Sequence, residues 1–235
     1  MGRLLGIDSP DSGTASYTYD PSSNLIKKTD ARGITTTYTY DTLNRLTIIH
    51  FPDQDVTYTY DNGNYSIGRL SSISDASGIT TYQYNINGYI TQKETTISEH
   101  TYTTTYTYDK DGNQTSITYP DGRKITYTIY AGRTAKIEDT ENTYMEDITY
   151  LPFGPPISYR QGDGTTTNIA FNQDYQITSI NIPSILSRTY THDNRGYITS
   201  ITDNINQSKN QTFAYDPAGR LIHASGIYGN ITYTI

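Results

Sequence analysis

Tyrosine and threonine alternate in short runs along the chain. The string Tyr-Thr-Tyr-Asp stands at residues 17–20, 38–41, 58–61 and 106–109, and close variants end at Asn85, Asp193 and Asp216. Such alternation is typical of a β-strand with two unlike faces. Each run therefore predicts a strand with tyrosines on one face and threonines on the other. We expect neighbouring repeats to place tyrosine beside tyrosine, and ladder tyrosines such as Tyr40, Tyr60 and Tyr108 to be largely buried.

The runs return at a regular spacing. Degenerate copies at 128–131, 148–151 and 169–172 complete a series of ten. The last positions of successive copies lie 20 to 24 residues apart. A period of this length indicates a repeat protein, and it has room for two strands of about six residues and two turns. The sequence predicts an all-β antiparallel array of about 11 hairpin repeats, part of a spiralling sheet. No change of composition marks a boundary, so residues 1–235 are predicted to be a single array.

The polar residue that ends each run predicts a tight turn. Aspartate accepts hydrogen bonds from the backbone ahead of it, and glycine or asparagine tolerates the left-handed conformation of a bulged hairpin. The predicted first and fourth turn residues are Asp20 and Ser23, Asp41 and Asn44, Asp109 and Gly112, Asp193 and Gly196, and Asp216 and Gly219. A second type of turn, seen at 30–33, 75–78, 120–122 and 162–164, closes each repeat.

Composition and charge argue against nucleic-acid-binding and membrane-spanning proteins. The chain has 25 tyrosines, no cysteine, 17% charged residues and a net charge of −7. An acidic balance without a lysine or arginine cluster argues against nucleic-acid binding. No apolar run approaches the roughly 18 residues of a membrane span. We therefore expect no nucleic-acid partner and no membrane insertion.

Candidate chemistry is sparse. The four histidines lack ligand spacing, and His192 replaces a run tyrosine. The aspartates return with the repeat, whereas a catalytic pair would stand at one unique place. The stretch 109–113 starts like a calcium loop, but its twelfth position is Pro120, which has no ligating side chain. We predict no catalytic, cofactor or metal site and no enzymatic activity; a hydrolase with a carboxylate pair is kept as a hypothesis for testing.

Five tyrosines fall outside the runs and are candidates for stacking on sugar rings. They are Tyr65, Tyr89, Tyr144, Tyr175 and Tyr228. The alternative is that they cover loops or pack against neighbouring residues.

The full motif, Tyr-x-Tyr-Asp-x-x-Gly-Arg-Leu, is clearest at 40–46 and 215–221. It resembles the YD repeat of the Rhs proteins, and is similar to repeats of Tc toxin subunits, wall-associated bacterial proteins and teneurins. The resemblance covers essentially the whole chain. It implies a spiralling sheet that winds into a hollow shell, which in the toxins encloses an effector domain. The Rhs segment linked to self-cleavage is not found here, so the resemblance implies a scaffold only.

Two functions are expected from these patterns. The first is a structural segment of a YD-repeat shell, on a secreted or surface protein, that encapsulates or displays a C-terminal effector. The alternative is an adhesion module that binds glycans or proteins at the cell surface. Because Gly2-Arg3-Leu4 matches 219–221 and the chain stops inside a motif at 233–235, we expect an excerpt of a longer parent. That parent would supply flanking YD repeats and the secretion signal, and the excerpt would have exposed edge strands.

Overall fold

The computed structural model describes residues 2–233. Its regular structure consists of 22 antiparallel strands, and the one helical segment in the described range is a short 3-10 turn, Gln207–Lys209. This confirms the predicted all-β fold. The chain divides into two compact units, Met1–Lys124 and Ile125–Ile235.

The first unit is a meander in which each strand pairs with the next along the chain. Its strands are β1 (Gly6–Ser9), β2 (Gly13–Tyr19), β3 (Leu25–Thr29), β4 (Thr35–Tyr40), β5 (Leu46–His50), β6 (Asp55–Tyr60), β7 (Leu70–Asp75), β8 (Gly78–Tyr84), β9 (Ile90–Ile97), β10 (His100–Tyr108) and β11 (Gln114–Thr118).

The second unit has the same organisation. Its strands are β12 (Lys124–Tyr130), β13 (Arg133–Glu138), β14 (Thr143–Tyr150), β15 (Pro156–Gln161), β16 (Thr166–Phe171), β17 (Ile177–Ile182), β18 (Leu186–His192), β19 (Ile198–Asp203), β20 (Gln211–Tyr215), β21 (Leu221–Gly226) and β22 (Gly229–Thr232).

The pairing register corrects the expected tyrosine ladder. Tyr38 lies opposite Ile49, and Tyr58 lies opposite Ile73. Strands that carry a run alternate with return strands that carry isoleucine, so an adjacent strand does not offer a second run tyrosine. Threonine does meet threonine in places, as in the 3.0 Å hydrogen bond between the side chains of Thr39 and Thr47.

Neither unit has a conventional hydrophobic core. Among the described residues, only Ile125 and Ala224 are buried hydrophobic residues. Along β2 the tyrosine face is half-buried and the threonine face is exposed. Tyr40, Tyr60 and Tyr108 are likewise half-buried rather than enclosed. The fold therefore depends on contacts between successive strands and turns, which are described next.

Candidate functional site

Most of the turns after the tyrosine runs share one geometry. In the turn after β4, Asp41 Oδ1 accepts hydrogen bonds from the backbone N–H groups of Leu43 and Arg45, both at 2.9 Å. The N–H of Asn44 donates to the carbonyl of Asp41 at 3.0 Å, and Asn44 has a φ of +60°. The register shifts by one residue just before Asp41. This is a tight turn closed by a left-handed bulge residue.

The other turn residues singled out in the sequence have the same placement. In each pair the N–H of the fourth residue donates to the carbonyl of the first, and the fourth residue has a positive φ: Asp20 and Ser23, Asp109 and Gly112, Asp193 and Gly196, and Asp216 and Gly219. Asn85 and Asn172 accept equivalent side-chain hydrogen bonds. The turn therefore needs an acceptor oxygen but not a negative charge.

The third turn, after β6, is longer than the others. Asp61 N–H donates to the carbonyl of Arg69 at 3.1 Å, and Gly68 N–H donates to Asp61 Oδ1 at 2.6 Å. Gly68, and not Asn64, therefore takes the bulge position. The signal was present in the sequence, because residues 68–70 repeat the Gly-Arg-Leu of 219–221.

A tyrosine hydroxyl joins each of several repeats to the one before it. The hydroxyl of Tyr40 donates to the carbonyl of Leu25 at 2.9 Å. Leu25 is the first residue of the preceding return strand, β3. The same bond links Tyr60 to Leu46, Tyr84 to Leu70, Tyr108 to Ile90 and Tyr215 to Ile198. Burial raises the pKa of Tyr40, Tyr60, Tyr84 and Tyr108. These hydroxyls therefore stay protonated, and remain donors, to a higher pH than the hydroxyl of an exposed tyrosine.

Arg45 joins two turns by a second contact. Its guanidinium lies 2.7 Å from the carboxylate of Asp41 in its own turn and 2.7 Å from that of Asp61 in the next. The same group lies over the ring of Tyr60, with its central carbon 4.5 Å from the ring centroid. Hydrogen bonds to Asp61 and Asp41 raise the pKa of Arg45. In return, the pKa of Asp61 is lowered, chiefly by the hydrogen bond from Arg45.

A flat group occupies the place of Arg45 in other repeats. Arg3 and Arg133 lie over Tyr19 and Tyr150, at 5.6 and 5.1 Å, and donate to backbone carbonyls of the following turn. Tyrosine takes the same place twice: Tyr89 stacks on Tyr108 at 5.0 Å, and Tyr197 stacks on Tyr215 at 4.9 Å. Arginine and tyrosine both cover an aromatic face well. We call this series of hydroxyl bonds and covered rings the turn ladder; sequence reasoning did not find it.

The five tyrosines outside the runs have different surroundings. Tyr89 belongs to the turn ladder, and the hydroxyl of Tyr144 donates to Asp139. The rings of Tyr175 and Tyr228 lie against Gly154 and Gly226. Tyr65 lies on the long third turn, with 54% of its surface exposed. Their stacking on sugars stays a prediction.

Within residues 2–233, no three His, Cys, Asp or Glu residues are close enough to hold a metal ion. His50 pairs with Asp55 at 2.8 Å on the surface, and His192 lies opposite Ile198 just as Tyr40 lies opposite Leu46. No helix in the same range is long and apolar enough to cross a bilayer.

Two family models match the chain. The RHS Repeat model matches residues 19–56, and the Teneurin YD-shell model matches residues 75–234, which is more than half of the sequence. The chain belongs to the teneurin YD-shell family. This confirms the YD-repeat resemblance read from the tyrosine motif.

Solved structures share the fold of this YD-shell chain. The TcdB2-TccC3 crystal structure matches with a TM-score of 0.82 and 19% identity, covering 96% of this chain and 14% of that one. A Photorhabdus luminescens Tc holotoxin pore with a TccC3 substitution matches with a TM-score of 0.81 and 19% identity, covering 96% and 13%. The TcdB2-TccC3-Cdc42 structure matches with 0.80 and 18%, covering 94% and 13%. This YD-shell chain thus spans 13% to 14% of those chains. No curated protein sequence matches it.

Proposed function

We propose that the chain is a wall segment of a hollow YD-repeat shell that encloses an effector domain. The observation that carries this proposal is the YD-shell match over residues 75–234, joined to a shared fold over 96% of the chain. Both units are proposed to belong to one repeat array.

The turn ladder gives this wall its physical basis. Several repeats are held to the repeat before them by hydroxyl bonds and covered rings, and the described residues form almost no buried apolar core. Stability of this kind sums over neighbouring repeats, as in solenoids, so a sheet can be extended without a larger core. A wall that must enclose a volume needs this property.

The partners follow from the same role. We propose that this chain binds flanking YD repeats of its parent through further rungs of the ladder, and that the assembled shell surrounds an effector domain. The Tc holotoxin match supports a protein that acts outside its producing cell, so we propose a secreted or surface location.

We also propose that the chain has no enzymatic activity. The recurring aspartates are engaged in turns, and the pKa values of Asp41, Asp109 and Asp216 are lowered, chiefly by hydrogen bonds from the residue four positions ahead. A carboxylic acid that serves as a general acid near neutral pH needs a raised pKa instead. These carboxylates are therefore poor proton donors.

The test is to express the complete open reading frame that encodes this chain, image the particles by cryo-electron microscopy and treat them with protease. A closed, hollow particle with a protease-protected internal domain is expected. A flat or solid particle, or equal digestion of every domain, contradicts the wall proposal.

A further inference from the structure

Strand β10 extends beyond one of its two neighbours. It has nine residues, whereas β11 has five. β10 pairs with β9 from His100 onward, but its pairing with β11 begins only at Thr105, which lies opposite Thr118. Among the described residues, the stretch 100–104 therefore has a neighbouring strand on one side only. It is a free strand edge inside the meander, and we call the space beside it the notch.

Thr101 and Thr103 direct their backbone groups into the notch. A two-residue turn joins β9 to β10, so the pair that closes it, Ile97 and His100, is a hydrogen-bonded pair. The direction of the N–H and C=O groups alternates along an antiparallel strand. Tyr102 therefore bonds to β9, while Thr101 and Thr103 face away from it. No backbone group in the described part of the chain pairs with these two residues on that side, so the notch offers two donors and two acceptors.

The space beside this edge is open. A recess of about 480 Å³ lies there, and its lining comes from β10 and the turn after β11: Thr101, Tyr102, Tyr119, Pro120, Asp121 and Arg123. A Cβ added to Gly122, in the same turn, would meet nothing within 4 Å. Strand β2 also extends past its neighbour, since its pairing with β3 begins at Ser16. There a Cβ on Gly13 would meet Ala31 at 2.7 Å, so the next turn fills the space that stays open beside β10.

The recess combines aromatic surface with an available cation. Tyr102 is 48% exposed, and the guanidinium of Arg123 lies over the ring of Tyr119, with its central carbon 5.1 Å from the centroid. Asp121 Oδ1 accepts a hydrogen bond from the backbone N–H of Arg123 at 2.9 Å. Within residues 2–233 the guanidinium of Arg123 has no carboxylate partner. Its planar set of donors is therefore free to bind a carboxylate from outside.

We propose that the notch binds an extended, acidic peptide segment of a partner protein, which adds to β10 as one further strand. In this mode of recognition, main-chain hydrogen bonds provide affinity and side-chain pockets provide specificity. The peptide backbone satisfies the free groups of Thr101 and Thr103. An apolar side chain contacts the rings of Tyr102 and Tyr119, and an aspartate or glutamate binds Arg123. This role is separate from that of a shell wall.

The probe is the peptide Asp-Thr-Ile-Thr-Val-Thr, acetylated and amidated at its ends, since β-branched residues favour a strand. A second peptide, with lysine in place of aspartate, reverses the charge. Binding to the intact chain is measured by NMR titration up to about 1 mM peptide, and the acidic peptide should bind about tenfold more tightly. Amide hydrogen exchange at Thr101 and Thr103 should slow on binding. Exchange at Tyr102 should not change, because its N–H already bonds to β9.

Methylation of the peptide backbone tests strand addition directly. Methyl groups on the amide nitrogens of alternate residues remove the donors from one side of the peptide strand only. One alternating set should abolish binding, and the complementary set should leave it nearly unchanged. Binding through side chains alone would not distinguish the two sets.

Variants of the chain locate the site. Thr101→Pro removes one donor of the notch, and an edge strand tolerates proline where its N–H is not part of the ladder. It should weaken binding by about tenfold with little change in melting temperature. Arg123→Gln should remove the preference for the acidic peptide. Arg32→Gln is the matched control, because Arg32 lies in the turn beside the filled overhang of β2 and its side chain is 77% exposed; it should leave binding unchanged.

The proposal is overturned if neither peptide binds, if the lysine peptide binds as tightly as the acidic one, or if both methylated sets have the same effect. It is also overturned if Thr101 and Thr103 become protected as the chain is concentrated without peptide, since a second copy would then be the occupant. If Thr101→Pro fails to fold, the methylated peptides still decide the mode of binding. None of these outcomes bears on the wall function, which is tested by imaging.

Discussion

The tyrosine that ends a run contributes through both its ring and its hydroxyl in several repeats. In Tyr60 the ring lies under the guanidinium of Arg45, and the hydroxyl donates to the carbonyl of Leu46 at 2.9 Å. Phenylalanine would keep the ring contact but lose the bond. This explains, at the level of a single residue, why tyrosine and not phenylalanine dominates the motif.

Tyr60→Phe should lower the free energy of unfolding by about 1 kcal/mol, the usual contribution of one hydrogen bond. Tyr60→Ala should cost on the order of 3 kcal/mol, because the ring contact is lost as well. Chemical denaturation of the purified chain measures both. Tyr102→Phe is the control, since Tyr102 is 48% exposed and its change should be within error. Equal effects of Tyr60→Phe and Tyr102→Phe would contradict the role of the hydroxyl.

At the scale of turns and strands, part of the structure could be predicted from the sequence. Local chemistry fixes the Asp41 turn, so its first and fourth residues were readable from residue type alone. The isoleucine opposite Tyr38 was not readable, because register depends on which strand pairs with which. The packing of Tyr89 on Tyr108 joins residues 19 positions apart, and the sequence does not show which ring of the next repeat Tyr89 contacts. The alternation of tyrosine and threonine therefore predicted the strands but not the turn ladder.

Acid should weaken these turns. The pKa values of Asp41, Asp109 and Asp216 are lowered in the folded chain from an ordinary value of 3.8. A lowered folded-state pKa contributes stability that is present above the unfolded-state value and is lost as the pH falls through the folded-state value. The melting temperature should thus be nearly constant between about pH 7 and pH 5 and fall below about pH 4.

Asp41→Asn separates the charge of that residue from its role as an acceptor. Asparagine keeps the acceptor oxygen, as Asn85 does in its own turn, but loses the ion pair with Arg45. The variant should melt at a lower temperature than the unsubstituted chain at neutral pH, and the two melting temperatures should converge in acid. A difference between them that does not change with pH would show that the carboxylate charge contributes nothing.

Two turn glycines test contact between neighbouring turns. Gly112 and Gly122 have nearly equal φ angles, +86° and +84°, so alanine should cost about 1–2 kcal/mol of backbone strain at either position. A Cβ on Gly112 would meet the ring and hydroxyl of Tyr89, whereas one on Gly122 would meet nothing within 4 Å. Gly112→Ala should therefore cost about 0.5–1.5 kcal/mol more, the contribution of the displaced stack on Tyr108. Denaturation of the two variants measures this difference, and equal costs would argue against the ladder contact.

At the scale of the whole molecule, stability without a core makes the free edges important. A strand is protected only by its neighbours, and β22 (Gly229–Thr232) is exposed at all four residues. Among the described residues it pairs on one side only, with β21. Unpaired backbone groups on such an edge are a template for pairing with another chain. The same edge would accept further repeats in a longer wall.

The purified chain should therefore self-associate through this edge, and its apparent mass in light scattering should rise with concentration. Ile231→Lys places a charge within β22, at a residue 40% exposed, and should reduce association because lysine on an edge strand opposes pairing. Ile227→Lys is the matched control: it adds the same charge to the turn before β22, at a residue 71% exposed, and leaves the strand edge unchanged. If both variants reduce association equally, net charge and not the edge governs it. If the unsubstituted chain stays monomeric at every concentration, the edge is protected, and the proposal that it accepts further repeats loses its physical basis.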